Sequence, residues 1–525
     1  MSSTLFLLGS VALTEMKLRF RRSSTWVLFL LLCITAFLLM PDVGSGAVMF
    51  LIGDRRVLLN SAATSLTSAL LGGFVLSLFG FYLISDSVTR DLRTGVGRLI
   101  APSPVPSATY LAGKFLGNGV FLYAIGCIFM IACMLVHMVR GEVSLEPIVF
   151  AKTFALMFLP MGPTVAALAI MFECVPFLSG RGGDVLYFFF WVLGLSLPVA
   201  LVGSSHDPSW LLGFDITGIG FFISNIVRAT GSTHFTIGYA PYNAALSPVI
   251  FRGLDLDPAF VVPRMCSVLM ALPLLGIALA AFRRFDPAAG KSKKGGSGAI
   301  ARFVQKLRSD WLHGLVPSIG WLTGPPGLLK ATILDAHLTA SLAPLLAVVM
   351  IAASLIGILA PADTIRSTLM PVLFFLFVPA LSSTGTRDRS GNVAQLIFST
   401  PLVRRHYGLL KFLSSLAVIL LLSIVPFIRV ALDNPFGGVA LLNGLVFVAA
   451  SATFLGLLTG TPKAFAVVFL LFMYLAVSTR SEPAFDFAGL RGLATPGVIA
   501  AYAALSMLMI AATHVGERWR EAREE

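Results

Sequence analysis

The sequence predicts an all-α polytopic membrane protein of about twelve transmembrane helices, arranged as two six-helix repeats that each carry a short amphipathic cytoplasmic helix. Three observations lead there: a deficit of charge, long unbroken apolar blocks, and a loop that occurs twice in register. Of the 525 residues, 57% are hydrophobic and 12% charged, whereas soluble domains are about half apolar and about a quarter charged. Too few charges remain to cover a water-soluble globule of this size.

The apolar residues come as continuous blocks rather than in alternation, so helices and not barrel strands satisfy the backbone in hydrocarbon. A span needs roughly 20 mostly apolar residues. Six cores lie in the first half: Trp26–Met40, Leu66–Ile84, Leu116–Met138, Phe154–Phe172, Val185–Val202 and Met265–Phe282. Six lie in the second: Leu342–Leu359, Leu369–Leu381, Phe412–Ile428, Val439–Leu458, Phe465–Val477 and Val498–Ala512. Between them runs a polar, basic and glycine-rich linker containing Gly295-Gly296-Ser297-Gly298. It divides the chain into a first six-span unit (1–283), a flexible cytoplasmic linker (284–326) and a second six-span unit (327–525).

An even number of spans places both termini on one side. With that side cytoplasmic, 27 of the 38 Lys and Arg fall inside, as the positive-inside rule requires. The cytoplasmic (inner) membrane is therefore the expected location. The net charge of +13 reads as topology and contact with anionic headgroups, and no nucleic-acid partner is expected. The basic cluster Lys17, Arg19, Arg21 and Arg22 precedes the first apolar run with no small-residue cleavage site after it, so that segment is expected to stay in place. Five scattered cysteines without paired spacing argue against a disulfide framework or zinc site.

The repeat is the most informative feature. Thr89-Arg90-Asp91, Leu99-Ile100, Ser103-Pro104, Tyr110 and Lys114-Phe115 recur as Thr386-Arg387-Asp388, Leu396-Ile397, Thr400-Pro401, Tyr407 and Lys411-Phe412, all at an offset of 297 positions. Val96, Leu99 and Ile100, like Val393, Leu396 and Ile397, sit at i, i+3 and i+4, which places them on one helix face. Ser87 or Thr89, and Thr384 or Thr386, are candidate caps. Pro102 and Pro104, or Pro401, stop the helix. Tyr110 and Tyr407, with Lys114 and Lys411, fall where amphipathic side chains sit at the headgroup level. Two such helices suit a partner that is itself a two-fold dimer.

These loops, RDLRTGVGRLIAPSPVPSATYLAGK and RDRSGNVAQLIFSTPLVRRHYGLLK, resemble the coupling-helix loop of type-2 ATP-binding-cassette (ABC) exporter permeases. The match runs through Arg90, Asp91, Gly95, Leu99, Ser103, Pro104, Tyr110, Gly113 and Lys114. In the second copy it runs through Arg387, Asp388, Leu396, Thr400, Pro401, Arg404, Tyr407 and Lys411. The usual Glu is Asp in both copies; the first lacks the Arg after Ser-Pro and the second the Gly before Lys. The resemblance implies a permease with both units fused, in which Arg90, Asp91, Val96, Leu99, Ile100, Pro104, Arg387, Asp388, Val393, Leu396, Ile397 and Pro401 couple to two copies of a separate cytosolic ATPase. It implies ATP and Mg on that partner and no cofactor, metal or catalytic residue in this chain. The chain has no GxxxxGK[ST] phosphate loop. Its nearest look-alike, Gly324-Pro325-Pro326-Gly327-Leu328-Leu329-Lys330, has the wrong spacing, and its prolines lack N–H donors.

Thr4–Arg22 and Gly327–Thr339 mix apolar and charged residues before a span and read as interfacial helices, similar to that family's elbow helices. The external stretch Gly203–Pro263 is far longer than its counterpart Ser478–Pro496; Trp210–Phe214 and Ile216–Val227 are expected to form re-entrant or interfacial helices. His137, Lys152, Glu173 and Arg429 fall near span ends, leaving the span middles almost bare. That argues against ion coupling and for a hydrophobic or amphipathic cargo: a drug, a lipid or a peptide. The alternative is a secondary transporter of the major-facilitator type, which shares twelve spans and a parallel repeat. It expects a short hairpin where this chain has about 25 residues with a helix.

Overall fold

The computed structural model describes the chain apart from residues 1, 39, 41–46, 205–212, 214, 232–233, 244, 255–256, 286–326, 342–344, 392, 479–482 and 525. It divides into two compact units, Met1–Ala289 and Gly290–Glu525. Each of the twelve apolar cores lies on a helix over its described residues, save Met40 and Phe282 at the ends of the first and sixth. Nine helices among the described residues are long and apolar enough to cross a membrane, and Ile219–Ala229, Val348–Leu359 and Pro462–Val477 are shorter apolar helices. Nearly all of the expected linker, 286–326, lies outside the described residues.

The first unit begins with α1 (Ser2–Phe20) and α2 (Ser23–Leu38), then α3 (Ser61–Ile84), α4 (Ser87–Arg93) and α5 (Val96–Ile100). The long helices α6 (Ser107–Arg140), α7 (Pro147–Cys174) and α8 (Arg181–Ser204) follow. It closes with α9 (Ile219–Thr230), α10 (Pro258–Cys266), a 3-10 turn and α11 (Ala271–Ala281). Its centre is α3 against α7, whose most apolar stretches are 72% and 78% buried. Without a hydrophobic drive between helices in lipid, close approach depends on small residues, and rings fill the space at glycines here. Phe129 packs over Gly72, Phe158 over Gly126 and Tyr123 over Gly162. Outward, Leu135 (59% exposed) and Val139 (84%) are largely uncovered, an apolar surface suited to lipid.

Helix α7 contains Pro160 and Pro163. Each removes a ladder N–H and frees the carbonyl four residues earlier. Tyr123 OH donates to the freed Leu159 oxygen at 2.6 Å. Arg264 Nε donates to the freed Leu156 oxygen at 3.1 Å, and Arg264 Nη2 to the Met157 oxygen at 2.8 Å. Arg264 also donates to the Asp215 carbonyl and is fully buried. The expectation of nearly bare spans therefore misses one cation. Arg264 opens the last span of this unit and is retained because it satisfies a proline-broken helix.

Outside the helices, β1 (Ala47–Ile52), β2 (Arg55–Arg56) and β3 (Phe235–Pro241) form an antiparallel sheet in the order β2-β1-β3, with Ile52 opposite both Arg55 and Phe235. Gly53, at φ +61°, makes the two-residue turn between β1 and β2, where only glycine is unstrained. Over its described residues the stretch 203–263 is thus part helix, part strand. Helix α9 covers most of Ile216–Val227, β3 falls where no element was expected, and all but Gly213 of Trp210–Phe214 lies outside the described residues.

The second unit runs through α12 (Leu328–Ser341), α13 (Leu345–Leu359), α14 (Ala362–Leu381), α15 (Arg387–Ser390), α16 (Ala394–Phe398) and α17 (Pro401–Arg405). It continues with α18 (Tyr407–Asp433), α19 (Pro435–Thr459), α20 (Pro462–Ser478) and α21 (Pro496–Glu524). Here α19 is the buried helix, at 67% of its most apolar stretch, and α21 lies at the edge with 11%.

Candidate functional site

The repeated loop is broken into short helices rather than one: two in the first unit and three in the second, where Pro401 opens α17 instead of only ending the helix before it. In the first, α4 ends at Arg93, Gly95 turns the chain at φ +80°, and α5 follows. In the second, α15 ends at Ser390 and α16 starts after Val393. The expected capping bonds are not made: Ser87 lies inside α4, and Thr386, which does stand at the N-cap of α15, makes no side-chain cap bond. Instead Glu173, from the end of α7, accepts the N–H groups of Ser87, Val88 and Thr89 at 2.9, 2.8 and 2.7 Å. A carboxylate there satisfies the orphan donors of the first turn.

Arg90 and Asp91 do not face outward, and neither do Arg387 and Asp388. They join a buried cluster built the same way in both units. In the first, Asp91 accepts from Tyr110 OH at 2.7 Å and pairs with Lys114 at 2.8 Å. Lys114 also pairs with Glu15 of α1 at 2.8 Å, and Arg90 pairs with Glu15 at 2.5 Å. In the second, Asp388 accepts from Tyr407 OH at 2.9 Å and pairs with Lys411 at 2.7 Å. Lys411 and Arg387 then meet Asp335 of α12 at 2.6 and 2.5 Å. Lys114 and Lys411 are the hubs, each holding two carboxylates.

The four side chains expected at the headgroup level therefore point inward: Tyr110 and Tyr407 are each 2% exposed, and Lys114 and Lys411 are also buried. The reason is charge balance. An acid on α1 or α12 and the Asp of the loop make two negative charges, and Arg and Lys supply two positive ones. Only such a neutral, hydrogen-bonded set tolerates burial. Arg19 is a third cation in the first unit; it pairs with Glu15 at 2.9 Å and with Asp86 at 2.8 Å. Thr339 occupies the matching position of the second unit and accepts from Arg387 at 3.0 Å.

Glu15 and Asp335 were invisible to a reading that followed one constant offset. They correspond at 320 positions, not 297, because the first unit holds 23 more residues between α1 and its loop than the second does between α12 and its loop. Those residues carry β1 and β2. The matching signal was Glu15 with Arg19 against Asp335 with Thr339, one turn apart on each helix.

Burial raises the Glu15 carboxyl, but Arg19, Lys114 and Arg90 outweigh it and hold the group below the ordinary carboxylate range. Burial likewise raises Asp388, and Lys411, Tyr407 and Arg387 more than reverse it. Both native values are lowered, so the stabilisation is complete above the ordinary range and lost as pH falls through the lowered values. Melting temperature in detergent is expected to hold down to about pH 5 and fall below about pH 4. Lys114→Met should flatten that fall.

The apolar residues of the loops do the opposite of the charges. Leu99 is 76% exposed and Leu396 75%; Val96 and Val393 are each 42%. Ile100 and Ile397 are half-buried, while Pro104 and Pro401 are exposed. On the inner side, the Phe285 ring closes over Gly97. Two short helices thus present a leucine and a valine outward from buried ionic anchors.

A second paired feature lies in the segment before the last span of each unit. Asp215 accepts the N–H groups of Gly218 and Phe221 at 2.8 and 3.0 Å. Asp486 accepts those of Arg491, Leu493 and Ala494 at 3.2, 2.8 and 3.1 Å. Gly218 and Gly489, each three residues after the Asp, have φ of +85° and +65°. Gly218 lies against Met157, and Gly489 against Ala440. Among the described residues no group of His, Cys, Asp and Glu is placed to hold a metal ion. An apolar cleft between α6 and α7 is lined by Tyr123, Cys127, Met130, Phe154 and Phe158.

Fold and site together define an all-α, multi-pass membrane protein whose buried charge clusters fasten an exposed apolar loop helix to each helical unit. Compared with family models, with curated proteins and with solved structures, the chain matches none.

Proposed function

We propose that this chain is the membrane-spanning permease of an ATP-driven exporter of the type-2 ABC class, with twelve crossings in two six-span repeats and both termini in the cytoplasm. One observation carries the reading: Leu99 and Leu396, three-quarters exposed, stand at the same place on two loops anchored by the same residue set. A large apolar side chain held outward by a rigid base is what an anchor for a protein pocket looks like. Two copies supply one anchor to each subunit of a dimeric cytosolic ATPase, which brings the ATP and Mg. Leu99, Val96 and Ile100, with Leu396, Val393 and Ile397, form the contact; Arg90, Asp91, Arg387 and Asp388 support it from behind. The cargo is hydrophobic or amphipathic, in keeping with the apolar cleft beside α6.

Affinity purification from membranes tests this. An ATPase with a phosphate loop is expected to co-purify, and Leu99→Glu with Leu396→Glu to reduce its recovery at least about tenfold while the permease stays folded. Transport driven by a proton gradient without ATP, and no ATPase in the eluate, would establish the major-facilitator alternative instead.

A further inference from the structure

The exposed helices cannot hold their own positions. Helix α5 has five residues, of which only Gly97 is buried, and α16 has five as well. An isolated helix needs about 12–15 residues to be even marginally stable. What fixes each one is the charge cluster on either side of it in sequence. Arg90 and Asp91 precede α5; Tyr110 and Lys114 follow it on the first turns of α6. The acid that ties these together comes from a third element, α1. The second unit repeats the plan with Arg387, Asp388, Tyr407, Lys411 and Asp335 of α12.

We propose that Glu15 and Asp335 are positioning residues that lock interfacial helix, loop helix and the start of the third span of each unit into one moving body. A push on Leu99 or Leu396 then reaches α6 or α18 directly. The joint cannot slip gradually, because each carboxylate that leaves Lys114 or Lys411 strands a charge in a site closed to water. The units also carry a natural control. The first uses Glu and the second Asp at this position, so length is tolerated and charge is the common requirement.

The inference rests on the proposed function for the source of the push, but the locking is measurable without a partner. In nanodiscs, hydrogen exchange of the permease alone should rise together in α1, α5 and the first turn of α6 in Glu15→Gln, and stay low in Glu15→Asp. A rise confined to α1 would overturn the locked body. For coupling, the exposed Cys127 of α6 is labelled with an environment-sensitive fluorophore in a Cys33→Ser, Cys266→Ser background, and ATP is added to the purified complex. Glu15→Gln should keep the ATPase bound while the ATP-induced signal falls about tenfold, within the usual range for coupled sites. Glu15→Asp should restore it. An unchanged signal in Glu15→Gln would sink the inference, as would loss of the ATPase in step with the signal. Should wild-type protein bring down no ATPase, the proposed function fails, and the exchange measurement alone decides whether the body is locked.

Discussion

Lys411→Met is expected to destabilise the second unit by about 3–5 kcal/mol, the usual cost of breaking a buried ion pair by removing one partner. The size follows from geometry. Lys411 is fully buried and lies 2.6 Å from Asp335 and 2.7 Å from Asp388. Methionine keeps the stem and removes the charge, so two carboxylates face each other with only Arg387 between them. Combining Lys411→Met with Asp388→Asn removes one charge of each sign and leaves the Asp335–Arg387 pair balanced. The double variant should recover about half the loss, a non-additivity expected only of groups in one network. Lys411→Arg should not rescue fully, since a planar fork does not occupy a point-charge site. Tyr407→Phe should cost about 1–2 kcal/mol, one hydrogen bond to a charged acceptor. Reversible denaturation in mixed micelles, followed by tryptophan fluorescence and circular dichroism, reads all five proteins.

Arg264→Leu is expected to cost about 3–5 kcal/mol in the first unit. Its guanidinium donates to three carbonyls from two segments: Leu156 and Met157 of α7, and Asp215 before α9. Leucine leaves them with fewer donors in a region that excludes water. Pro160→Ala tests this account, because alanine returns the ladder N–H that Leu156 lost. In that background Arg264→Leu should cost about 1–2 kcal/mol less. Equal costs in both backgrounds would mean that Arg264 acts through packing rather than by replacing the broken ladder.

The helical character was written in composition and block length, which is why the apolar cores fall on helices but for a residue at two of their ends. The loop was legible because its spacing is rigid: Asp91 to Tyr110 and Asp388 to Tyr407 are the same distance along the chain. What the loop does with its charges was not legible. An Arg-Asp pair beside an amphipathic helix reads as surface, and a tyrosine before a span reads as a headgroup anchor. Both readings turn over once α1 and α12 each bring a carboxylate to the spot. The sheet was hidden for another reason. Ala47–Ile52 is an unbroken apolar run, short of a span and without alternation, and its main partner β3 is remote in sequence. Gly53-Asp54 between that run and the next was the available sign of a hairpin. Arg264 did not stand out, because nothing in the sequence near it announces the prolines of α7 that it serves.

The pairing of β1 with β3 bears on the order of synthesis. Ile52 leaves the ribosome some 180 residues before Phe235, roughly 10–40 s at ordinary translation speeds. Throughout that interval an apolar strand waits with one edge unfilled while α3, α6, α7 and α8 emerge. The first unit therefore closes its sheet only after α8 and α9 have been made, and a chaperone or protease meeting the nascent chain has that window in which to act.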